Sequence, residues 1–336
     1  MSGWLLVQAD ARRLPLPDQS VDLVFGSPPY VDARLYLEGG KNLGIARGCV
    51  DWVEWMLGVT AECLRVSRGA VLWVAAGVTR DRNYQPACEG LMWEWYRRGL
   101  GHAYRPCYWH RVGIPGSGGD QWFRADVEYV MCFKRPGKLP WSDNTAMGEP
   151  PKWAPGGEMS HRVKDGERRN QWGRHMNCKT SNRKADGTFQ GAARPSHRIV
   201  TRYRDGMHAN DQEYSPPSLA NPGCVVRTTV GGGQMGSAFA HENEAPFPEA
   251  LAEHFIRSLC PEGSTVLDPF SGSATTAAVA AKCNRRGVGF DLRRSQCELG
   301  RRRIPDTLAP RSKLDAAPAI VPLAGQLSLF AEDKAS

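Results

Sequence analysis

Residues 264–291 read Ser264-Thr-Val-Leu-Asp268-Pro-Phe-Ser-Gly-Ser-Ala-Thr-Thr276-Ala-Ala-Val-Ala-Ala-Lys282-Cys-Asn-Arg-Arg-Gly287-Val-Gly-Phe-Asp291. Residues 264–267 predict a strand. Residues 273–282 predict a helix and 287–290 a second strand. Small residues between the first strand and the helix, Ser271 and Gly272 among them, let the backbone approach a ligand closely, and the helix N-terminus faces it. The second strand ends in Asp291. An acidic group there can accept both ribose hydroxyls of a nucleotide-like ligand.

The same alternation recurs outward from this unit. Upstream, Leu251, His254, Phe255 and Leu259 predict a helix, and residues 295–303 predict another downstream. At the chain start, residues 4–8 predict a strand ending at Ala9-Asp10, and residues 21–25 a second, buried one. Asp51 is placed to cap a helix whose apolar positions are Trp52, Trp55, Val59, Cys63 and Leu64. Gly69 ends it, and residues 70–76 predict a strand. Residues 91–98 predict a helix closed by Gly99. Strands over 103–112 and 127–133 follow, joined by the glycine-rich residues 113–119. Strands alternating with helices predict a mostly parallel α/β sheet.

Residues 136–240 differ in character. Pro, Gly, Trp and basic residues crowd together there, and apolar periodicity fades. Residues 138–205 hold fourteen Lys/Arg and seven Asp/Glu, so most of the net charge of +8 lies in this segment. A basic balance fits a polyanionic partner. From Pro305 on, Ala and Pro dominate, which predicts a flexible tail. The expected organisation is therefore 1–135, 136–240, 241–304 and 305–336. A chain of 336 residues accommodates one large α/β domain with an insertion. No run of eighteen apolar residues predicts a membrane span, and no basic stretch followed by an apolar core predicts a signal peptide. Ten cysteines without Cys-x-x-Cys pairs fit reduced thiols in the cytoplasm, not a disulfide framework or a zinc site.

Ser27-Pro28-Pro29-Tyr30 stands at the end of the 21–25 strand. Two prolines cannot continue a central strand, because each lacks a donor and fixes φ. They do build a rigid loop. The Ser27 hydroxyl and the Pro28 carbonyl can accept hydrogen bonds from an exocyclic amine, and Tyr30 can stack on a planar ring. Any proline turn at a strand end could show the same four residues, so the downstream motif decides between the readings.

Asp268 to Thr276 resembles the S-adenosylmethionine loop of DNA amino-methyltransferases, Asp-Pro-Phe-x-Gly-Ser-Gly-Thr-Thr, with Ala274 in place of the usual glycine. Ser27 to Tyr30 resembles the catalytic tetrapeptide of the same enzymes. Asp10-Ala11 with Leu16-Pro17-Asp18 resembles the run into that tetrapeptide, and residues 241–248, ending in Phe247-Pro248, resemble the segment before the cofactor loop. Glu62-Cys63-Leu64-Arg65-Val66 resembles the following helix. The chain is identified on these motifs as a member of the permuted, β group, because the catalytic tetrapeptide precedes the cofactor loop. Protein-glutamine methylases carry the opposite order. C5-cytosine methylases use a Pro-Cys nucleophile, but Pro106-Cys107 falls inside an expected strand and reads as core.

The resemblance implies a Rossmann-like class I methyltransferase fold, with a mostly parallel seven-stranded sheet and one antiparallel strand. It implies S-adenosylmethionine as cofactor, no metal, double-stranded DNA as partner and a homodimer. Ser27, Pro28, Pro29 and Tyr30 would be catalytic. Asp10, Ala11, Phe247, Pro248, Asp268, Phe270, Gly272, Ser273, Thr275, Thr276 and Asp291 would bind the cofactor. Asp10 would meet its adenine, Asp291 the ribose, Phe270 the adenine face and Asp268 the amino-acid end. The plainer readings are a helix cap for Asp10 and core for Phe270.

Serine before Pro-Pro is more common among N4-cytosine enzymes. Residues 27–36, however, resemble phage-associated stand-alone methylases that include adenine enzymes, and the choice leans to adenine N6. The basic middle segment would read the DNA target, or be a solvated loop. A catalytically silent DNA-binding regulator is the reading from another class; an intact Ser27 to Tyr30 disfavours it. No nuclease-like domain is evident. In the tail, Gln326-Leu327-Ser328-Leu329-Phe330 resembles the Gln-Leu-x-Leu-Phe motif that binds the bacterial sliding clamp, through Gln326, Leu327, Leu329 and Phe330. The alternative is that its apolar residues pack on the protein's own surface.

Overall fold

The computed structural model describes residues 3–31, 37–38, 41–42, 48–114, 122–150, 218–230, 235–243 and 245–309. The chain divides into two units, Met1–Met147 with Pro222–Ser336, and Gly148–Asn221. In the second, the described residues include one antiparallel bridge between Glu149 and Ala220. Residues 310–336 of the predicted tail, with Gln326, Leu327, Leu329 and Phe330, lie outside the described residues, as does most of the basic segment.

In chain order the first half runs β1 (Trp4–Gln8), β2 (Leu23–Gly26), β3 (Leu37–Glu38), β4 (Lys41–Asn42), α1 (Gly48–Val66), β5 (Val71–Ala75), β6 (Val78–Arg80), β7 (Asn83–Gln85) and α2 (Ala87–Arg97). Then follow β8 (His102–Val112), β9 (Val127–Lys134), β10 (Val225–Thr229) and a 3-10 turn (Ala238–Glu242). The last elements are α3 (Glu249–Leu259), β11 (Thr265–Asp268), α4 (Thr275–Lys282), β12 (Arg286–Asp291) and α5 (Arg294–Leu308). Among the described residues, eight strands form one sheet in the order β1-β12-β11-β2-β5-β9-β8-β10. Within the described residues of that sheet, β9 runs antiparallel to its neighbours and the other pairings are parallel.

The central strands are apolar on both faces because both faces are covered. Val24, Val71, Trp73, Ala75, Met131 and Phe133 pack under α1 and α2. Their strand neighbours Leu23, Phe25, Leu72, Val74 and Val130 point the other way, against Leu251, Phe255 and Ile256 of α3 and Val279 and Ala280 of α4. Two of the buried indoles are tied as they are placed. The Trp73 Nε1 donates to Thr60 Oγ1 at 3.0 Å and Trp109 Nε1 to Thr228 Oγ1 at 2.7 Å. A buried donor left unpaired would cost about 1–3 kcal/mol.

The structure departs from the sequence reading in three places. The sheet has eight strands, one more than the resemblance implies. The additional strand is β10, drawn from the segment whose polar surroundings hide it. Its alternation shows only in place, with Val226 and Thr228 buried and their neighbours not. Helix α1 begins at Gly48, so Asp51 lies in its first turn and does not cap it. Helix α5 continues to Leu308 with Pro305 inside it, past the point where the composition turns to Ala and Pro. Pro106 sits where the β8–β9 register shifts, between Tyr104 and Cys107. A bulge is where a strand can accept a residue without an N–H. Burial pushes the Cys107 thiol up, which fits the core reading and not a nucleophile.

Helix α4 lies so close on β12 that residue 287 has no room for a side chain. A Cβ on Gly287 would stand 2.4 Å from the Ala277 carbonyl oxygen and 2.6 Å from its Cα. Backbone cannot yield as a side chain can, so Gly287→Ala should destabilise the fold by about 1–3 kcal/mol. Urea unfolding should show a lower midpoint with an unchanged slope.

Candidate active site

Two loops leave the carboxyl ends of the adjacent strands β2 and β11. Gly26 ends β2, and a Cβ on it would stand 2.3 Å from Asp268 Oδ1. The absence of a side chain therefore lets the two strand ends close on each other. Beyond Gly26, the Pro29 carbonyl accepts the Trp52 indole N–H at 2.6 Å. The Tyr30 hydroxyl donates to Glu128, and the Ser27 hydroxyl stands beside the phenol oxygen. Glu128 in turn pairs with Arg111 at 2.9 Å. Burial and the neighbouring carboxylate hold the Tyr30 phenol well above its ordinary range. Burial also raises Glu128, against the opposing pull of Tyr30 and Arg111.

The second loop is built around two carboxylates. Asp268 is 1% exposed and accepts the Phe270 N–H at 3.0 Å and the Thr276 hydroxyl at 2.8 Å. Burial pushes its carboxyl up to about 7, against those two donors. Asp291 accepts the Gly272 N–H at 3.0 Å and the Arg293 N–H at 2.8 Å. Burial raises it too, and Arg293 opposes the shift. Gly272 turns at φ +47°, and a Cβ there would press on the Asn243 amide at 2.9 Å.

The loops open on one cavity of ≈ 580 Å³. It gathers all four residues of the tetrapeptide, and Asp10, Ala11, Phe247, Phe270, Gly272, Thr275 and Asp291 from the expected cofactor set. Pro248, Asp268, Ser273 and Thr276 are not on its wall. They stand behind it: Pro248 precedes α3, Thr276 holds Asp268, and Ser273 accepts from the buried Arg303 at 2.8 Å. Asp10 lies on the wall while accepting the Arg12 N–H at 2.9 Å and pairing with the Arg12 guanidinium. The hydrogen bond from the guanidinium lowers its carboxyl, with the backbone N–H adding to it. Phe270 also has two roles, since its ring packs 5.7 Å from both Trp55 and Trp73 while its residue faces the cavity.

The wall includes residues the sequence reading did not select: Asn243, Ser271 and Arg293 beside the cofactor loop, and Trp109, Arg111 and Glu128 beside the tetrapeptide. Asn243 falls within the quoted 241–248 segment, so a signal for it existed. Arg111 and Glu128 sit in strands recognised by their apolar positions, and nothing local marks them.

The sequence model of the DNA methylase family, which groups N6 and N4 methyltransferases, matches residues 21–302, and the chain belongs to that family. Over 76 residues it is 37% identical to the orphan methyltransferase M.BamHII of Bacillus amyloliquefaciens, a stretch covering 23% of this chain and 29% of that protein. It is 40% identical over 57 residues to the DNA adenine methyltransferase YhdJ of Escherichia coli (strain K12), covering 17% and 19% of the two chains. The matched stretches thus span less than a third of these curated relatives. In fold it resembles the PvuII DNA methyltransferase (cytosine-N4-specific), with a TM-score of 0.57 at 15% identity over 90% of this chain and 86% of that one.

The raised Asp268 carboxyl gives stability a pH dependence of known sign. Below about pH 4 the group is protonated in both folded and unfolded chains and adds no slope. Between about pH 4 and 7 only the unfolded chain ionises, so this group's effect is a loss of stability as pH rises. Above about pH 7 the penalty is constant. Asp268→Asn should remove this slope, and urea unfolding at both ends of that window should show a smaller loss in the variant than in the wild type.

Proposed function

We propose that this chain is a stand-alone DNA amino-methyltransferase of the permuted β group. It moves a methyl group from S-adenosylmethionine to the exocyclic amine of a flipped base, with adenine N6 favoured over cytosine N4. One observation carries the reading: Ser27 to Tyr30 and the loop from Pro269 to Thr275, far apart in sequence, face each other across one cavity.

The wall fits the cofactor in its chemistry. Phe247, Phe270 and Leu292 offer apolar surface for a purine, and the Asp10 and Asp291 carboxylates suit hydroxyl or cationic groups. Ser271 Oγ is buried there without a hydrogen-bond partner among the described residues. S-adenosylmethionine, when bound, supplies a methyl group on a sulfonium, already a good leaving group.

The remaining work is positioning by the chain. An exocyclic amine is a poor nucleophile because its lone pair is delocalised into the ring. Ser27 Oγ and the Pro28 carbonyl accept its N–H bonds and direct the lone pair toward the methyl carbon. The Trp52 bond to Pro29 fixes the loop that carries both acceptors. Holding the amine in near-attack geometry then supplies much of the rate. The amine is out of reach inside a duplex, so the base leaves the stack and Tyr30 recovers part of that cost by stacking on it. The basic segment 136–240 supplies phosphate contacts and base reading.

Similar proteins carry both target names, one a DNA adenine methyltransferase and one cytosine-N4-specific. Mass spectrometry of digested DNA after reaction should show N6-methyladenine; N4-methylcytosine as sole product would reverse the preference, and no methylated base at all would remove the proposal. Ser27→Ala and Tyr30→Ala should retain cofactor affinity and lose about a hundredfold in turnover. Full turnover in both would remove this site from consideration.

Homodimerisation is proposed on the resemblance alone, and docking on a sliding clamp on Gln326, Leu327, Leu329 and Phe330. Tethering there would raise the enzyme's local concentration at newly made DNA. Calorimetry of a 320–336 peptide should detect binding to a bacterial clamp, abolished by Leu329→Ala with Phe330→Ala. An unchanged double variant would leave packing on the protein's own surface as the better account.

A further inference from the structure

Glu128 is 6% exposed in the β8–β9 strand pair, where an apolar residue would serve the sheet at less cost. One of its oxygens is taken by Arg111 at 2.9 Å. Arg111 is itself braced, its Nη2 donating to the Ala125 carbonyl at 2.6 Å and its backbone N–H to the Asp126 carbonyl at 2.8 Å. The other carboxylate oxygen reaches across from β9 to the Tyr30 hydroxyl in the loop after β2. Both Glu128 and Arg111 stand on the cavity wall beside the tetrapeptide. Tyr30 is thereby held at two ends. Its backbone follows Pro29, whose carbonyl is fixed by Trp52, and its phenol is fixed by Glu128.

We propose that Glu128, held by Arg111, is a positioning residue that sets the plane of the Tyr30 ring for stacking on the extruded base. This rests on the methyl-transfer reading above. A tyrosine ring anchored only by its backbone can swing about its side-chain torsions. A phenol bonded to a braced carboxylate cannot do so without leaving a buried charge short of a partner. The antiparallel strand thus acts on the reaction from the far side of the tetrapeptide, through a side chain that need not touch the reacting atoms. If Glu128 served only to staple β8 to β9, its removal would act in the same way whether or not Tyr30 carried a hydroxyl.

The test is a mutant cycle on the full chain, with turnover read from tritiated methyl transfer to unmethylated genomic DNA. Tyr30→Phe removes the bond while Glu128 keeps its ion pair with Arg111, and should lower kcat about tenfold with the KM for cofactor unchanged. Glu128→Ala should lower kcat similarly. Glu128→Gln, which can still bond both the phenol and Arg111, should retain most activity. In the Tyr30→Phe background, Glu128→Ala should add little further loss. Full activity in Tyr30→Phe, or an undiminished effect of Glu128→Ala in that background, overturns the proposal. Should Glu128→Ala fail to fold, Tyr30→Phe and Glu128→Gln still decide it. A wild-type chain that transfers no methyl group fails the parent reading instead, so the two failures are distinguishable.

Discussion

The site depends on the pairing of β2 with β11. Val266 lies opposite Leu23 and Leu267 opposite Val24, in parallel, so both strands release their chains at the same edge. From β11 the chain passes through α4 to β12, on one side of the sheet order. From β2 it passes through α1 to β5, on the other. The two loops therefore diverge, and a crevice opens between them at the point where the strand order reverses. Ligands of open α/β sheets bind at such crevices. The gap is kept narrow at its base by Gly26, whose missing side chain admits the Asp268 carboxylate.

That carboxylate shows what the crevice asks of the fold. Asp268 is removed from water and held by one backbone N–H and one hydroxyl, with no cation paired to it by an ion pair among the described residues. Burial of a charge on such terms favours the protonated form, which is why its carboxyl is pushed up to about 7. Its hydrogen bonds bind the strand end to the start of α4 through Thr276, whose hydroxyl also reaches the Phe25 carbonyl of β2 at 3.2 Å. One threonine thus joins the two halves of the cavity from behind. The indole of Trp52 does the corresponding work for the tetrapeptide, joining α1 to Pro29.

The regular elements were legible because their apolar runs are local. The strand at 4–8 is found at the expected residues, and α2, α3, α4 and β12 within a few residues of where spacing places them. The cavity was legible where strand, loop and helix are contiguous, as at Phe270, Gly272 and Asp291. It was less so at Ser273, Thr276 and Asp268, because a loop motif does not say which of its side chains face outward. Arg303, thirty residues further on in α5, takes the hydroxyls of Ser273 and Thr275 and so orients that turn inward. Glu128 and Arg111 gave no local signal, since their roles arise from strand pairing across the sheet. Strand β10 was hidden for the same reason, its short Val-Val-Arg-Thr-Thr run lying next to a polar segment.

Ala274 marks the one departure of the cofactor loop from the pattern it resembles, and the structure accounts for it. Residue 274 turns at φ +64° and ψ 37°, the left-handed conformation that glycine adopts freely and that costs an L-residue about 1–2 kcal/mol. Its N–H donates to the Ser271 carbonyl at 2.6 Å, and its carbonyl accepts the Ala278 N–H at 3.0 Å, so the turn into α4 is closed as it would be with glycine. The methyl group is fully buried with Leu6, Ala277, Ala278 and Ile304. Its space comes from α5, where residue 300 is glycine; a Cβ there would stand 2.8 Å from the Ala274 Cβ. A glycine inside a helix costs about 1 kcal/mol. The side chain absent from Gly300 and the one present on Ala274 therefore occupy one position between loop and helix. Burial of that methyl offsets part of the strain, and the loop keeps its shape without its usual glycine.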